Sequence, residues 1–223
     1  MASPRTARPA DPAPRGGRPA PPSPAGHTGR AAPAGRGRLT PEREQELYEA
    51  VLQLLREVGY DALTMDAIAA RTRSSKATLY RQWQGKPQLV ACALRYSRPV
   101  HVADVDTGTL RGDLRELASG FCRHIEEDAA LLRGMGHAAH TNPEFQQALR
   151  ELLVQPEIDA FQVKLEQAVR RGEIDGDNPA LEFFPHLLVG GLFSRQLVEG
   201  READPAYLNR YLEAVVFPLL GKE

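Results

Sequence analysis

The chain has 223 residues, 42% of them hydrophobic, which allows one large domain or two small ones with a buried core. No apolar run approaches the roughly 20 residues that span a bilayer, and the polar first residues show no secretory signal, so a cytoplasmic protein is expected. The net charge of −1 conceals three unlike segments, because residues 1–38 carry +6, residues 39–98 carry +2 and residues 99–223 carry −9.

Residues 1–38 consist mainly of Pro, Gly, Ala and Arg. Such a segment has hardly any large apolar side chain to bury, so its composition predicts a disordered basic tail. Two interpretations stay open at this point. The tail is either an inert extension or a basic arm that helps to hold DNA, with Arg38 among the nearest cations to the folded part.

Four helices are predicted between residues 39 and 98. Thr40 and Pro41 suit the start of the first helix, and Gly59 suits its end. The inward face of that helix repeats at helical spacing, through Leu47, Val51, Leu54, Leu55 and Val58. Thr64 and Ser75 are capping residues for the second and third helices, which flank a tight turn, and a fourth helix follows Gly85.

The stretch from Ala67 to Arg98 contains seven Arg or Lys residues and no Asp or Glu. A cationic, acid-free surface on a small helical unit is what binding to a phosphate backbone requires. The acidic balance of residues 99–223 opposes DNA binding there, so the N-terminal part is the expected DNA-binding end.

Further helices are predicted at about 109–127, 129–138, 142–171, 179–199 and 205–219, with a kink or break at Pro156. No segment has the period-2 pattern of a strand, so an all-α fold of about nine helices is expected. The helix at 179–199 is apolar on more than one face, which requires burial on more than one side. A second subunit is one way to provide that burial.

Residues 40–98 resemble the DNA-binding domain of the tetracycline-repressor (TetR) family of bacterial regulators. The matching residues run through the second and third helices and the start of the fourth, as Thr64-Met65-Asp66-Ala67-Ile68-Ala69, Ser75-Lys76-Ala77-Thr78-Leu79-Tyr80, Trp83 and Gly85-Lys86-Pro87-Gln88-Leu89. The resemblance implies a three-helix helix-turn-helix domain at 39–98 and a C-terminal ligand-binding and dimerisation domain at 99–223. It also implies a homodimer whose third helix enters the major groove of an operator.

The DNA-contacting residues expected from this motif lie at helix N-termini and on the third helix. They are Arg38, Thr64, Arg73, Ser75, Lys76, Thr78, Tyr80, Arg81 and Lys86. Leu79 and Trp83 are expected in the core instead. The turn departs from the family, which often has Ala-Gly where this chain has Thr72-Arg73; if φ is positive there, Arg73 costs on the order of 1 kcal/mol.

The resemblance places an effector pocket and a dimer interface in residues 99–223. Candidate pocket residues are Phe121, His124, His137, Phe161 and Phe184, although aromatic residues at helical spacing are first of all core. Candidate interface residues are Phe183, Leu187, Leu188, Gly191, Leu192, Leu208, Leu212 and Val215. No metal site or cofactor is expected, because neither the histidines nor the two cysteines have the spacing of a ligand set.

The sequence therefore predicts a transcriptional regulator with no enzymatic constellation, most simply a ligand-responsive repressor that binds a palindromic operator as a homodimer. Two alternatives remain: a ligand-independent repressor or activator, and a small-molecule-binding helical protein with a vestigial DNA-binding module. The effector, the operator sequence and the regulated genes are not encoded in any pattern of the chain.

Overall fold

A computed structural model describes residues 39–98, 100–122, 131 and 135–221, and these fold into helices with no β-strand among them. The all-α prediction is confirmed. The predicted tail at residues 1–38 lies outside the described residues, as does part of the helix predicted at 129–138. No helix in the described ranges is long and apolar enough to cross a bilayer.

The first four helices are α1 (Pro41–Ala62), α2 (Met65–Thr72), α3 (Lys76–Trp83) and α4 (Lys86–Tyr96). After a 3₁₀ turn come α5 (Leu110–Cys122), α6 (135–141), α7 (Pro143–Leu149), α8 (Gln155–Arg171), α9 (Ala180–Glu199), α10 (Pro205–Tyr211) and α11 (Phe217–Leu220). Short π-helical segments, Arg150–Val154 and Leu212–Val216, join α7 to α8 and α10 to α11. The described residues thus contain nine continuous helical stretches.

Capping side chains fix where several helices begin. The Thr40 hydroxyl accepts from the backbone N–H of Arg43 at 3.3 Å, and the Asn142 side chain accepts from that of Phe145 at 2.9 Å. Each bond satisfies one of the N–H groups that the first turn of a helix leaves unpaired. Both helix starts agree with the sequence-based expectation.

The end of α1 differs from its prediction in one respect. Gly59 interrupts the helix with φ 73° and ψ 171°, a conformation suited to glycine, and one further turn follows. Val58, predicted on the inward face, is 48% exposed. Because the interruption redirects the chain, Tyr60 fills the core in its place.

Pro156 produces a widened turn and not an end to its helix. The π-helical segment Arg150–Val154 comes immediately before it, and α8 continues to Arg171. Proline has no N–H to donate to the preceding turn, and a π-turn accommodates that missing bond without ending the helix. Pro218 stands in the same relation to the π-helical segment Leu212–Val216.

Two clusters of buried apolar side chains hold these helices together. The N-terminal core combines side chains of α1–α4 with four later residues, Leu131, Met135, Ala138 and Phe145. The C-terminal core joins α5 and α8 to α9, α10 and α11. Within the N-terminal core the Tyr60 and Phe145 rings stack with centroids 3.8 Å apart. Residues beyond 130 therefore complete the core of the first four helices.

Candidate nucleic-acid interface

The α2–α3 unit has the caps expected of a helix-turn-helix. The Thr64 side chain accepts from the backbone N–H of Ala67 at 3.1 Å, and the Ser75 hydroxyl accepts from that of Thr78 at 3.1 Å. Both caps are exposed, so both helix N-termini face solvent. Helix N-termini attract anions through their free N–H groups and the helix dipole.

Arg73 forms the turn between the two helices in a left-handed conformation, with φ 52° and ψ 36°. Its backbone N–H lies near the carbonyls of Ala69 and Ala70 at the end of α2, the usual arrangement at a helix C-terminus. The suspected positive φ is thus present at a residue with a Cβ, which disfavours that region. The turn therefore holds an exposed cation in a conformation that favours glycine.

Two further contacts hold this turn. The guanidinium of Arg43 in α1 donates to the Thr72 carbonyl, and the Thr72 hydroxyl donates to the Ile68 carbonyl at 2.8 Å. Sequence reasoning missed Arg43, because the first turn of α1 is dominated by acidic residues that suit a helix N-terminus. An Arg one turn after a helix cap gives no local signal for a contact made 29 residues away.

The outward face of α3 presents the side chains that the sequence singled out. Lys76, Tyr80 and Arg81 are exposed, with Tyr80 at 49%, and Thr78 is partly exposed. Leu79 is fully buried on the opposite side, as expected. The helix therefore separates an apolar inner face from an outer face of hydroxyls and cations, the groups that contact base edges and phosphates.

Trp83 closes the N-terminal core at the end of α3. Its indole Nε1–H donates to the Tyr48 hydroxyl at 3.1 Å, and that hydroxyl donates to the Glu44 carboxylate at 2.7 Å. Burial, with the bond to Glu44, raises the pKa of Tyr48 well above its ordinary value. Trp83 is 6% exposed, which confirms the core position expected for it.

Two of the cations on α2 and α3 are held by nearby carboxylates. Lys76 Nζ lies 2.6 Å from Asp66 Oδ1, and Arg71 Nη2 lies 2.7 Å from Glu57 Oε2. The hydrogen bond that Lys76 donates to Asp66 raises the pKa of Lys76, which keeps its ammonium charged. Both pairs are exposed, so solvent weakens each of them.

Lys86 is engaged inside the protein. Its Nζ donates to the Tyr60 carbonyl at 2.9 Å and lies 4.3 Å above the centroid of the Tyr60 ring. Desolvation by burial lowers the pKa of Lys86. Its ammonium therefore serves first to fix α4 on the end of α1. The N-terminus of α4 has no side-chain cap, since Gly85 has no side chain that could accept from its free N–H groups.

Arg38 and His124 lie outside the described residues. The other predicted DNA-contacting residues belong to one surface unit formed by α2, α3 and the start of α4. Among the described residues no three His, Cys, Asp or Glu side chains are grouped in a way that would hold a metal ion.

A half-open cavity of about 710 Å³ lies between α8 and α9. Its lining is mainly apolar, with Phe161 and Phe184 in edge-to-face contact at 5.4 Å. Glu166, Arg170 and Glu182 also line it. Of the predicted pocket residues, Phe161 and Phe184 meet here, Phe121 is not part of the lining, and His137 is exposed on α6.

The predicted interface residues divide into two groups. Phe183 is 54% exposed on α9. Four other candidates are partly exposed: Leu187, Leu188 and Leu192 on the same helix, and Val215 in the π-helical segment before α11. Leu208 and Leu212 are buried within the C-terminal core. Gly191 is also buried, against the ring of Tyr211. These three residues are covered within the subunit, so they do not lie on the exposed surface that the other candidates share.

Comparison with known proteins agrees with the geometry of both parts. Residues 47–92 match the family model of bacterial regulatory proteins of the tetR family, and residues 104–215 match that of the tetracyclin repressor-like C-terminal domain. An uncharacterized HTH-type transcriptional regulator of Mycobacterium tuberculosis is 35% identical over 180 residues, covering 81% of this chain and 89% of the relative. The DNA-binding transcriptional repressor TetR of Mycobacteroides abscessus is 30% identical over 188 residues, covering 80% of this chain and 94% of that protein.

Solved structures share the fold. A crystal structure of a TetR family transcription regulator superposes with a TM-score of 0.64 at 24% identity, covering 81% of this chain and 100% of the other. The flavonoid-responsive regulator FrrA superposes with a TM-score of 0.57 at 24% identity, covering 81% and 96%. With the capped helix-turn-helix and the two matching domain families, these findings show that the chain belongs to the TetR family of DNA-binding transcriptional regulators.

Proposed function

We propose that this regulator is a ligand-responsive repressor that binds a palindromic operator as a homodimer in the cytoplasm, with α3 in the major groove. The observation that carries the proposal is the outer face of α3, where Lys76 and Tyr80 are exposed beside a Ser75-capped helix N-terminus. A two-fold dimer presents two such helices, and two half-sites related by symmetry form a palindrome.

The exposed apolar side chains of α9 support the homodimer. Phe183, Phe193 and Leu197 are 54%, 49% and 89% exposed, and Val189 beside them is 55% exposed. Monomeric proteins rarely expose apolar patches of this extent, so a second copy of the chain is the proposed cover. The partly exposed candidates Leu187 and Leu192 lie on the same helix.

The cavity between α8 and α9 supports ligand response. Its volume of about 710 Å³ and its apolar lining are typical of sites for drug-sized molecules. A ligand that binds better to one arrangement of the dimer shifts the population toward that arrangement. In the proposed mechanism the favoured arrangement holds the two copies of α3 at a spacing that successive major grooves do not match. A ligand-independent regulator would need no such cavity.

The test is salt-dependent binding of a duplex that carries the region upstream of the chain's own coding sequence. We expect Lys76→Ala and Tyr80→Ala to weaken binding and remain folded, and Lys76→Ala to reduce the salt slope by about 1. Arg201→Ala, which removes one exposed cation far from α3 in sequence, is the matched control. Unchanged binding in both α3 variants would instead favour a small-molecule-binding protein with a vestigial DNA-binding module.

A further inference from the structure

One carboxylate joins the segment after α4 to the first turn of α8. Glu157 accepts a hydrogen bond from His101 Nδ1 at 2.8 Å and another from the backbone N–H of Val102 at 2.9 Å. Arg98 Nη1 lies 3.6 Å from the same carboxylate. Two hydrogen-bond donors and one cation, all within six residues of the end of α4, therefore converge on one side chain of the C-terminal part.

Glu157 is buried, with a relative exposure of 8%. Desolvation by burial acts to raise its pKa, but the bonds from His101 and Val102 and the charge of Arg98 lower it below the ordinary value. A buried carboxylate without such partners is an uncompensated charge, which strongly destabilises the folded chain. The position that keeps all three partners is therefore favoured. The segment after α4 is thus fixed to α8 by a directional contact, in addition to apolar packing.

The position of this contact connects the two functional regions of the chain. On one side, α4 contributes Leu89 and Val90, both fully buried, to the N-terminal core that also holds α3 through Leu79. On the other side, Ile158 and Phe161 of α8 follow Glu157 closely in sequence and line the α8–α9 cavity. A displacement of α8 at the cavity would reach the end of α4 through Glu157.

We propose that Glu157 is a positioning residue for DNA binding, whose carboxylate sets the orientation of α4, and with it α2 and α3, relative to the C-terminal helices. This inference rests on the proposed function, since it assumes that a dimer with correctly spaced α3 helices binds DNA. Glu157 touches neither α3 nor the turn before it. It acts through the segment that begins at Arg98.

Asp113 supplies a matched control. It is 3% exposed and accepts from the Thr107 backbone N–H at 2.6 Å, from the Thr107 hydroxyl at 2.8 Å and from Lys164 Nζ at 2.9 Å. Like Glu157 it is a buried carboxylate that links α8 to an earlier segment. Its partners lie outside the N-terminal core, so its loss disturbs α8 without releasing the end of α4.

The experiment compares Glu157→Gln with Asp113→Asn in the full-length chain. Unfolding temperature is measured first, and DNA affinity is then measured where both variants are folded, with a labelled duplex of the chain's own upstream region. Both variants should unfold at lower temperature. Glu157→Gln should weaken DNA binding by about fivefold or more, and Asp113→Asn should leave affinity within about twofold of wild type.

Affinities within about twofold of wild type for both variants, or equal losses for both, would overturn the role of Glu157 alone. A wild-type chain without salt-dependent DNA binding would overturn the proposed function and this inference together. His101→Ala keeps the experiment decisive if Glu157→Gln does not fold. It removes one donor and leaves the Val102 bond and the Arg98 charge, and it should weaken DNA binding by less than Glu157→Gln does. An unchanged affinity for a folded His101→Ala chain would also count against the proposal.

Discussion

Asp66 at the start of α2 holds Lys76 at the start of α3, with 2.6 Å between Oδ1 and Nζ. The pair thus links the two helices of the motif at the surface proposed to meet DNA. Both side chains are largely exposed, at 74% and 50%, so the pair adds little to folding stability. In the proposed complex, Asp66 competes with DNA phosphates for the Lys76 ammonium.

Asp66→Asn should therefore tighten DNA binding. An exposed ion pair is weak, so we expect a gain of about 1.5- to 5-fold in affinity with an unchanged unfolding temperature. Fluorescence anisotropy with labelled duplex measures the affinity. Glu213→Gln is the control, since Glu213 pairs with Arg111 and Arg115 on α5 and its loss changes net charge equally. Weaker binding by Asp66→Asn would show that Asp66 positions Lys76 instead of competing for it.

Arg73→Gly should stabilise the fold and weaken DNA binding. Relief of the left-handed conformation is worth about 1–2 kcal/mol, and the added freedom of glycine in the unfolded chain offsets part of it. We expect a net gain of about 0.5–1 kcal/mol in the free energy of unfolding from urea titration.

Two variants separate strain from charge in that experiment. Arg73→Lys keeps the cation and should retain both the strain and most of the DNA affinity. Gln84→Gly relieves the other positive φ at a non-glycine residue in the described ranges, 62° at the end of α3, and should stabilise without loss of a cation. If Arg73→Gly binds DNA as tightly as wild type, Arg73 is not a phosphate contact.

The adjacent glycines of α9 should respond in opposite ways to alanine. A Cβ on Gly191 would lie 2.4 Å from Cε1 of Tyr211, whose hydroxyl is pinned by a 3.0 Å bond to the Leu187 carbonyl. Gly191→Ala should cost about 1–3 kcal/mol. Gly190 has open space within its own subunit, and Gly190→Ala should gain up to about 1 kcal/mol in thermal unfolding. Equal unfolding temperatures for Gly191→Ala and wild type would contradict this packing.

Charge on the outer face of α9 should break the proposed homodimer. Leu197→Asp and Phe193→Asp place carboxylates in the exposed apolar surface, where a subunit contact would desolvate them. Analytical ultracentrifugation should show monomers at micromolar concentration, with DNA affinity reduced. Val58→Asp, at an apolar position on α1 that is 48% exposed, should leave the mass unchanged. If the double variant Leu197→Asp, Phe193→Asp remains dimeric, the subunits do not associate through this face of α9.

Asp113 should contribute stability that disappears in acid. Burial acts to raise its pKa, but the bonds from Thr107 and Lys164 prevail and hold that pKa below the ordinary 3.8. The unfolded state therefore takes up a proton more readily, so the contribution is complete above about pH 5 and is lost as pH falls through the folded pKa. In urea titrations, the stability difference between wild type and Asp113→Asn should be constant from pH 7 to 5 and shrink below 3.8. A constant difference down to pH 3 would contradict this account.

Local signals predicted most of the helix-turn-helix. Thr64 and Ser75 indicated where α2 and α3 begin, because their side chains suit helix caps. Leu79 was expected in the core, and it is fully buried. Even the unusual turn was readable, because an Arg at a position where the family often has glycine pointed to positive φ. Such features depend on residues within one or two turns of each other.

Contacts between distant segments could not be predicted in this way. The role of Lys86 depends on the Tyr60 carbonyl, which lies 2.9 Å from its ammonium. Nothing near Lys86 in the sequence indicates that contact. Nothing near Glu157 in the sequence indicates its contacts either, since its three partners come from a segment more than 50 residues earlier. Val58 fitted the helical period, but a single glycine after it changed the direction of the chain.

The stacking of Tyr60 on Phe145 has a practical consequence for anyone who wishes to transplant the DNA-binding part onto another regulator. A fragment cut after Arg98 would leave the Tyr60 ring, and the surface that Leu131, Met135 and Ala138 cover, open to water. A chimera that exchanges DNA specificity between relatives therefore needs its junction beyond Leu149, so that α7 is transferred together with α1–α4.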